Sequence, residues 1–327
     1  MERINAGQVD VVRVPFDGFA GRGDPPNAYV IPARPLTLID AGIAYPGNLE
    51  RIAAALEPFD LTLSDIETVV LTHWHWDHTG LVREIADRSD AVFLYHPSER
   101  VRLLGGVDEV GALAAATRTF YTRHGFNKAI AGMLTGLAFE HERVDLPVER
   151  TRPLGEWEMV RAGTIDLCIL LTPGHTPGSI CLHHAGSGLL FSSDSLYGRL
   201  FPHPVAEIPS TGDQSRSILK DYLPSLKRLA ALDSTNVLPG HGKPFHPAAK
   251  VINPITSFIE RRLSRLTRLL VTGPLSAAEV MQAFFPSIDE IERCHAVAEV
   301  VFLVEVLEAR GAVTREDDRG VFRYRLT

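Results

Sequence analysis

Cysteine is scarce in this chain of 327 residues, which has three in all, Cys168, Cys181 and Cys294. So few make no disulfide framework. Cys168 and Cys181 also fall in apolar, strand-like runs, where a thiol is more often buried than ligating. Long apolar runs are missing too. No stretch approaches 18 continuous apolar residues, so no membrane-spanning segment is expected. The amino terminus, Met1-Glu2-Arg3-Ile4-Asn5, has no basic region leading into an apolar core. No secretory signal is therefore expected, and a cytoplasmic location follows. Positive charge is in short supply, with 33 Lys and Arg against 40 Asp and Glu, a formal net charge of −7. That balance speaks against a broad nucleic-acid surface. With 45% apolar and 22% charged residues, the chain can bury a sizeable core as an ordinary soluble globular protein. Its length suggests two domains.

The densest chemistry lies in Thr72-His73-Trp74-His75-Trp76-Asp77-His78-Thr79-Gly80, where four potential metal ligands fall within six residues. The run before it, Thr68-Val69-Val70-Leu71, is apolar and β-branched and reads as a buried strand. A strand carried through the cluster would put His73, His75 and Asp77 on one side at period two, with a turn bringing in His78. Imidazole and carboxylate suit zinc, manganese or iron(II), and no thiolate is present to close a structural site. A polar loop that was histidine-rich by chance would bury these titratable groups at a cost that nothing repays.

Four further stretches follow the same logic of a strand ending in a polar side chain. Leu38-Ile39-Asp40-Ala41-Gly42 ends in an acid. Ile165 to Leu171 is a strong apolar strand that leads into Thr172-Pro173-Gly174-His175-Thr176-Pro177-Gly178-Ser179. Phe191-Ser192-Ser193 leads to Asp194, and Leu238-Pro239-Gly240 leads to His241 and Gly242. In this order, over about residues 10 to 250, the five stretches resemble the His-x-His-x-Asp-His signature and companion motifs of the metallo-β-lactamase-fold hydrolases. The His175 stretch is similar to the form shared with hydroxyacylglutathione hydrolases, which makes the pattern glyoxalase II-like.

The resemblance implies an α/β fold, an αββα metallo-β-lactamase sandwich, and a site for two divalent metal ions. One ion would take His73, His75 and His175, and the second Asp77, His78 and His241, with Asp194 bridging both. Zinc is the expected metal, with manganese or iron also accepted. Two ions about 3.5–4 Å apart sharing a water produce hydroxide near neutral pH and polarise a substrate oxygen. Asp77 would also orient that nucleophile, and Asp40 would position the loops rather than ligate. Ser192, Ser193 and Ser195 have no matched base, so no side-chain nucleophile is expected.

The organisation around these motifs reads as a catalytic domain over 1–250 and a second unit over 251–327. Strands are expected at 9–16, 28–31 and 36–39. Asn27 and Tyr29 would either face the site or satisfy turns. A helix at 48–56 should bury Ile52, Ala55 and Leu56. From about 97 to 146 alanine, glycine and leucine recur at helical spacing, a helical insertion that would serve as a lid over the cleft, as dimer surface or as extra core. Tyr121, Arg123 and His124 are its polar groups of interest. The long loop from 196 to 217 carries Tyr197, Arg199 and His203, and Tyr197 would donate a hydrogen bond to a substrate oxygen. His183 and His184 read as surface or packing residues.

In the tail, helices are expected at 255–270, from a capping box at Ser276 to about Phe285, and at 290–310, followed by a hairpin around Arg315 to Gly320. This order resembles the small carboxy-terminal winged-helix domain of the β-lactamase-like protein 2 group. From 251 to 327 there are ten arginines, no lysine and eleven acids, a net of 10 − 11 = −1. The third helix carries Val297, Val300, Val301, Leu303 and Val304, which read as core. Phosphate binding needs clustered cations, so the tail is expected to be a dimerisation module or a cleft wall more than a DNA reader.

The function expected is hydrolysis of a small-molecule acyl substrate, a thioester, ester or lactone. The alternatives are a phosphodiesterase or endoribonuclease on single-stranded RNA, and a ligand-sensing DNA-binding regulator. Nucleic acid is not the expected partner, and a homodimer is possible from the apolar helical surface.

Overall fold

The structure, a computed structural model, describes residues 1–6, 9–18, 23–139, 144–197, 207–232, 234–288 and 290–327. Seven strands, β1 (Glu2–Ala6), β2 (Val9–Pro15), β3 (Asn27–Ile31), β4 (Thr37–Ile39), β5 (Thr68–Val70), β6 (Val92–Tyr95) and β7 (Thr151–Pro153), form one sheet in chain order. Its first four strands pair antiparallel, and β5 to β7 continue parallel to β4. The second sheet contains β8 (Met159–Ala162), β9 (Ile165–Leu171), β10 (Ile180–His184), β11 (Leu189–Ser193) and β12 (Asn236–Pro239), in the order β12-β11-β10-β9-β8. Its pairs are antiparallel except β11 with β12, which run parallel.

Period-two alternation decides what each strand buries. Val11, Tyr29, Ile39, Val70 and Leu94 turn inward and meet Leu167, Ile169, Leu182, Phe191 and Leu238 of the facing sheet. Their neighbours Val12, Val30, Leu38, Val69 and Phe93 turn the other way, toward the helices α1 (Asn48–Leu56), the single turn α2 (Trp76–Thr79) and α3 (Val82–Ala86). Ile52, Ala55 and Leu56 are the buried face of α1, as their spacing predicts. The second sheet turns Leu170, Cys181, Leu190 and Val237 outward onto a third cluster. Helix, sheet, sheet, helix is the αββα sandwich expected.

The third cluster is shared. The insertion supplies α4 (Arg100–Leu104), α5 (Val107–Arg123) and α6 (Lys128–Ala138). The segments after β11 supply α7 (Tyr222–Ala230), α8 (Ala249–Leu270), α9 (Ala277–Phe284) and α10 (Glu290–Ala309), then the hairpin β13 (Val313–Asp318) and β14 (Val321–Leu326). Leu113, Phe120, Tyr121 and Leu134 of the insertion belong to the same apolar cluster as Leu263, Val280, Val301 and Tyr324 of the tail. The Ala278 N–H donates to the His124 carbonyl at 3.1 Å across that seam. Arg123 pairs with Asp317 there too. Tyr121, Arg123 and His124 therefore join the insertion to the tail and do not line the cleft.

The capping box at Ser276 and Glu279 forms as expected, with the Ser276 N–H donating to the Glu279 carboxylate at 2.7 Å. Helix α8 begins six residues before the expected Ile255 and runs through Pro254. Ile252 and Ile255 on either side of it are buried, and that continuous apolar face outweighs the amide hydrogen bond a proline forgoes. Strands β1, β7 and β8 were not legible. The first is largely exposed, the second ends in Pro153, and the third alternates over four residues only.

Strands β4, β5, β9, β11 and β12 run so that their carboxyl ends reach one edge of the sandwich, where ligand sites in α/β sheets collect. Gly42 closes the β4 end there at φ +67°, and its carbonyl accepts the Gly80 N–H at 2.7 Å. A Cβ at Gly42 would overlap the buried Phe16 ring. Gly42→Ala is therefore expected to destabilise the protein by about 2–4 kcal/mol, read as a lower urea midpoint at unchanged slope. An unchanged midpoint would refute this account of the turn.

Candidate metal centre

Strand β5 stops at Val70, and the sequence-based picture of a strand continuing through His75 does not hold. Leu71 still donates to the Leu94 carbonyl at 2.8 Å, but the Thr72 N–H turns to the Asp40 carboxylate at 2.8 Å. The Thr72 carbonyl accepts from Ile180 of the second sheet at 3.0 Å. With its ladder partners replaced on both sides, the chain leaves the sheet. His73 and His75 sit on a loop, and Asp77 and His78 lie in the single turn of α2.

This loop meets His175 after β9, Asp194 after β11 and His241 after β12. The His75 Nδ1 and His175 Nε2 atoms are 2.8 Å apart. His241 Nε2 lies 3.3 Å from His78 Nε2 and 3.2 Å from an Asp77 oxygen. The Asp194 carboxylate is 3.4 Å from each of His78, His175 and His241. Three triads have ligand atoms close enough for one ion each, namely His73, His75 and His175; His73, His78 and Asp194; and Asp77, His78 and His241. All seven predicted side chains thus converge. Tyr197 borders them, its ring centroid 5.8 Å from that of His241. Arg199 and His203 lie outside the described residues.

The supporting contacts fix which ring nitrogen faces the centre. His78 Nδ1 is 2.9 Å from Asp40, and His241 Nδ1 donates to the Asp24 carbonyl at 2.9 Å. His73 Nδ1 lies 3.1 Å from the Thr72 hydroxyl and 3.3 Å from that of Ser193. Each arrangement leaves Nε2 to the interior, the pattern that orients metal-binding histidines. Asp40 serves Thr72 twice and His78 once, so it positions the loop, as expected of it. Asn27 and Tyr29 do not face the centre. Both donate to the Pro239 carbonyl, at 3.0 and 2.7 Å, and hold the His241 turn. A side chain at Gly240 would overlap Asp194. Ser192, Ser193 and Ser195 bond to Leu196, Thr72 and Thr172 respectively, as structural hydroxyls.

The buried donors fit a cation. His73 Nε2 and Asp194 Oδ1 are buried and have no hydrogen-bond partner among the described residues, an arrangement that costs free energy unless an ion completes it. Burial, with the imidazoles of His78, His75 and His175 nearby, holds His73 well below its ordinary range, so it stands as a neutral donor. His175 is depressed in the same way, by burial and then by His75, to about 3. Burial also works against charge on His78, but Asp194, Asp77 and Asp40 outweigh it and raise that imidazole to about 9. Burial pushes the Asp77 carboxyl up, and His78 and His241 more than reverse this, to about 2.

Two glutamates had no sequence signal. Glu99 is buried under the loop and accepts from the Trp74 N–H at 2.9 Å, the Thr176 hydroxyl at 3.0 Å and the Gly178 N–H, so one carboxylate ties the His75 and His175 loops together. Burial and Glu207 push its carboxyl up to about 8. Glu207 lies 3.7 Å from His75 Nε2, accepts from the Trp74 indole at 3.2 Å and faces Arg102 at 3.7 Å. Neither sits in a motif, and a lone acid after a strand or in a long loop reads as a surface residue.

Comparison with known proteins agrees with this geometry. The model of the Metallo-beta-lactamase superfamily matches residues 21–241. The chain is 29% identical over 297 residues to "Probable metallo-hydrolase YqjP" of Bacillus subtilis, covering 88% of each. It is 30% identical over 211 residues to "Acyl-coenzyme A thioesterase MBLAC2" of Gallus gallus, covering 62% of this chain and 67% of that one. The crystal structure of metallo-beta-lactamase family protein TTHA1429 from Thermus thermophilus superposes with a TM-score of 0.74 at 25% identity, covering 97% of this chain and 98% of that one.

Two outcomes are expected. Asp40→Asn weakens zinc binding by about 10–100-fold, the usual effect of removing a group that orients a ligand, measured by chelator competition. An unchanged affinity would deny Asp40 that role. In metal-free protein the raised His78 proton contributes stability fully below the ordinary imidazole range, and this contribution is lost as pH rises through about 9. An ion binding at Nε2 must displace that proton, so zinc affinity should rise from pH 6 to pH 8 with proton release on loading. Equal affinities at the two pH values would contradict it.

Proposed function

The chain belongs to the metallo-β-lactamase superfamily of metal-binding hydrolases, and on that premise we propose that it hydrolyses small acyl compounds, thioesters first, at a two-metal centre. The observation that carries the reading is the convergence of seven ligand-type side chains, all buried except the half-buried His75, with the interior-facing atoms His73 Nε2 and Asp194 Oδ1 left for cations. His73, His75 and His175 would hold one divalent ion and Asp77, His78 and His241 the other, with Asp194 between them. Zinc is the preferred metal, with manganese or iron also suited to this donor set. Bound there, the ions supply Lewis acidity and make water nucleophilic near neutral pH.

The protein's own groups supply the remainder. Asp77, held as a carboxylate, would orient the attacking water by accepting a hydrogen bond from it. Tyr197, next to His241, donates to the substrate carbonyl oxygen as charge builds on it. Asp40, Glu99 and the Asp24 carbonyl keep the donors in register, so little reorganisation is needed during the reaction. The acyl class is supported by the His175 motif, similar to that of hydroxyacylglutathione hydrolases, and by the relative named as an acyl-coenzyme A thioesterase.

The tail does not favour nucleic acid. Helix α10 is buried from Ala296 through Leu307, so the helix that would read DNA in a winged-helix module is packed within the protein. Of the arginines on α8, Arg262 pairs with Glu299 at 2.8 Å and Arg265 donates to the Ala283 carbonyl at 3.2 Å. These two charges serve the fold, which leaves Arg261 and Arg268 as the other exposed arginines of that helix, fewer than the cluster phosphate tracking needs.

On zinc- or manganese-loaded protein, chelator-sensitive thioester hydrolysis is expected, with Asp194→Asn lowering kcat/KM by about 10²–10³-fold or more at an unchanged circular dichroism spectrum. Hydrolysis that survives Asp194→Asn, or cleavage of single-stranded RNA in place of thioesters, would overturn the proposal.

A further inference from the structure

Beside the metal centre, between the His75 loop and the helical insertion, lies a cavity of about 340 Å³. Its walls include Trp74, Trp76, Arg102, Val107, Gly111 and Phe139. We propose that this cavity binds the aliphatic chain of the acyl substrate, an inference that rests on the acyl-hydrolase reading of the adjacent site.

Four observations carry it. Trp74 and Trp76 alternate in the chain with His75 and Asp77, and the Trp74 ring packs on the His75 ring at 4.5 Å between centroids. The inner wall is thus one residue from the proposed ligands. Second, among the described residues Arg102 is the only charged one lining the cavity, and it is engaged within the protein. It lies over Trp74 at 4.2 Å and Phe139 at 3.7 Å, donates to the Ala138 carbonyl at 2.9 Å and faces Glu207 at 3.7 Å. The remaining described wall is apolar, which favours a hydrocarbon over a phosphate or sugar. Third, the size fits. An apolar cavity of about 150 Å³ holds benzene, so about 340 Å³ has room for roughly 8–12 chain carbons. Fourth, Gly111 lies in the interior of α5, where glycine is disfavoured, and a Cβ there meets no atom within 4 Å. The position is exposed and lines the cavity, so a larger side chain can be placed at its edge without displacing a neighbour.

The test uses decanoate and acetate as probes, with acyl thioesters of 2 to 16 carbons as substrates. Trp74 and Trp76 are two of the three tryptophans, so indole fluorescence reports on the cavity directly. Decanoate should change it saturably in chelator-stripped as well as zinc-loaded protein, and acetate in neither. Gly111→Phe, and Val107→Phe at an 84% exposed position of the rim, should weaken decanoate binding by about tenfold or more. In zinc-loaded enzyme kcat/KM should rise at least tenfold from acetyl to decanoyl thioester, and both variants should erase that rise while leaving acetyl turnover unchanged. Active enzyme with a flat chain-length profile, or decanoate binding indifferent to both variants, overturns the cavity proposal and leaves the hydrolase reading intact. Decanoate binding that both variants abolish, in loaded protein that turns over no thioester, supports the chain site and overturns the hydrolase reading.

Discussion

Gathering Asp77, Asp194 and five histidines, all buried except the half-buried His75, in one pocket is the constraint that the rest of this structure answers. Each group loses its water, and isolated charges of this kind are not tolerated in an interior. The protein meets the cost in two ways. Opposite charges face one another, as His78 faces Asp194 and Asp40. The outer ring nitrogens of His73, His78 and His241 are also tied to fixed partners, so that their inner atoms remain to be satisfied. Asp40 and Ser193 both adopt positive φ to do this, at 59° and 47°. Such backbone is strained for a residue with a side chain and persists where the surroundings over-determine it. A cation at the centre would complete the pairing, and the fold is arranged for one.

The same constraint explains what the tail does for the site. Glu305 on α10 is buried and accepts from the Ser217 N–H at 2.6 Å and from its hydroxyl. Arg315 of the hairpin donates to the Ser215 carbonyl at 2.7 Å, and Arg216 pairs with Glu308 at 3.0 Å. Ile218 then donates to the Glu207 carbonyl at 3.0 Å, and Glu207 faces His75 and Arg102. A continuous set of contacts therefore runs from α10 to the wall of the centre. In this protein the tail holds a cleft loop in place, which accounts for an apolar third helix with no face left for a groove.

Much of this was legible because the chemistry obeys local spacing. Strand ends, glycine turns and imidazoles lie within a few residues of one another in each motif, and β9 and α1 follow their apolar periods closely. What was not legible depended on distance in the chain. Glu99 touches residues 25 and 79 positions away, and Glu207 meets Trp74 across 133. No period or motif encodes such pairs. The error over β5 has the same origin. Alternation alone cannot tell that Asp40 takes the Thr72 amide out of the ladder, because Asp40 lies 32 residues earlier. The role of Tyr121, Arg123 and His124 was left open because the insertion was read without the tail that packs on it.

That loop geometry also separates chemistry from selectivity. Once the chain leaves β5, His73, His75 and Asp77 are directed to the centre, while the intervening Trp74 and Trp76 form the wall of the cavity under the insertion. One short segment therefore has two faces, and only the second meets α5 and the end of α6. Substitutions in those helices reshape the apolar wall without touching a ligand-type side chain, whose partners Asp40, Asp24, Ser193 and Glu99 all lie outside them. Arg102 and Glu207 are the exceptions, since they contact both the tryptophan wall and, through Glu207, His75. A change of substrate that spares this pair can leave the centre intact, and one that disturbs it must alter both.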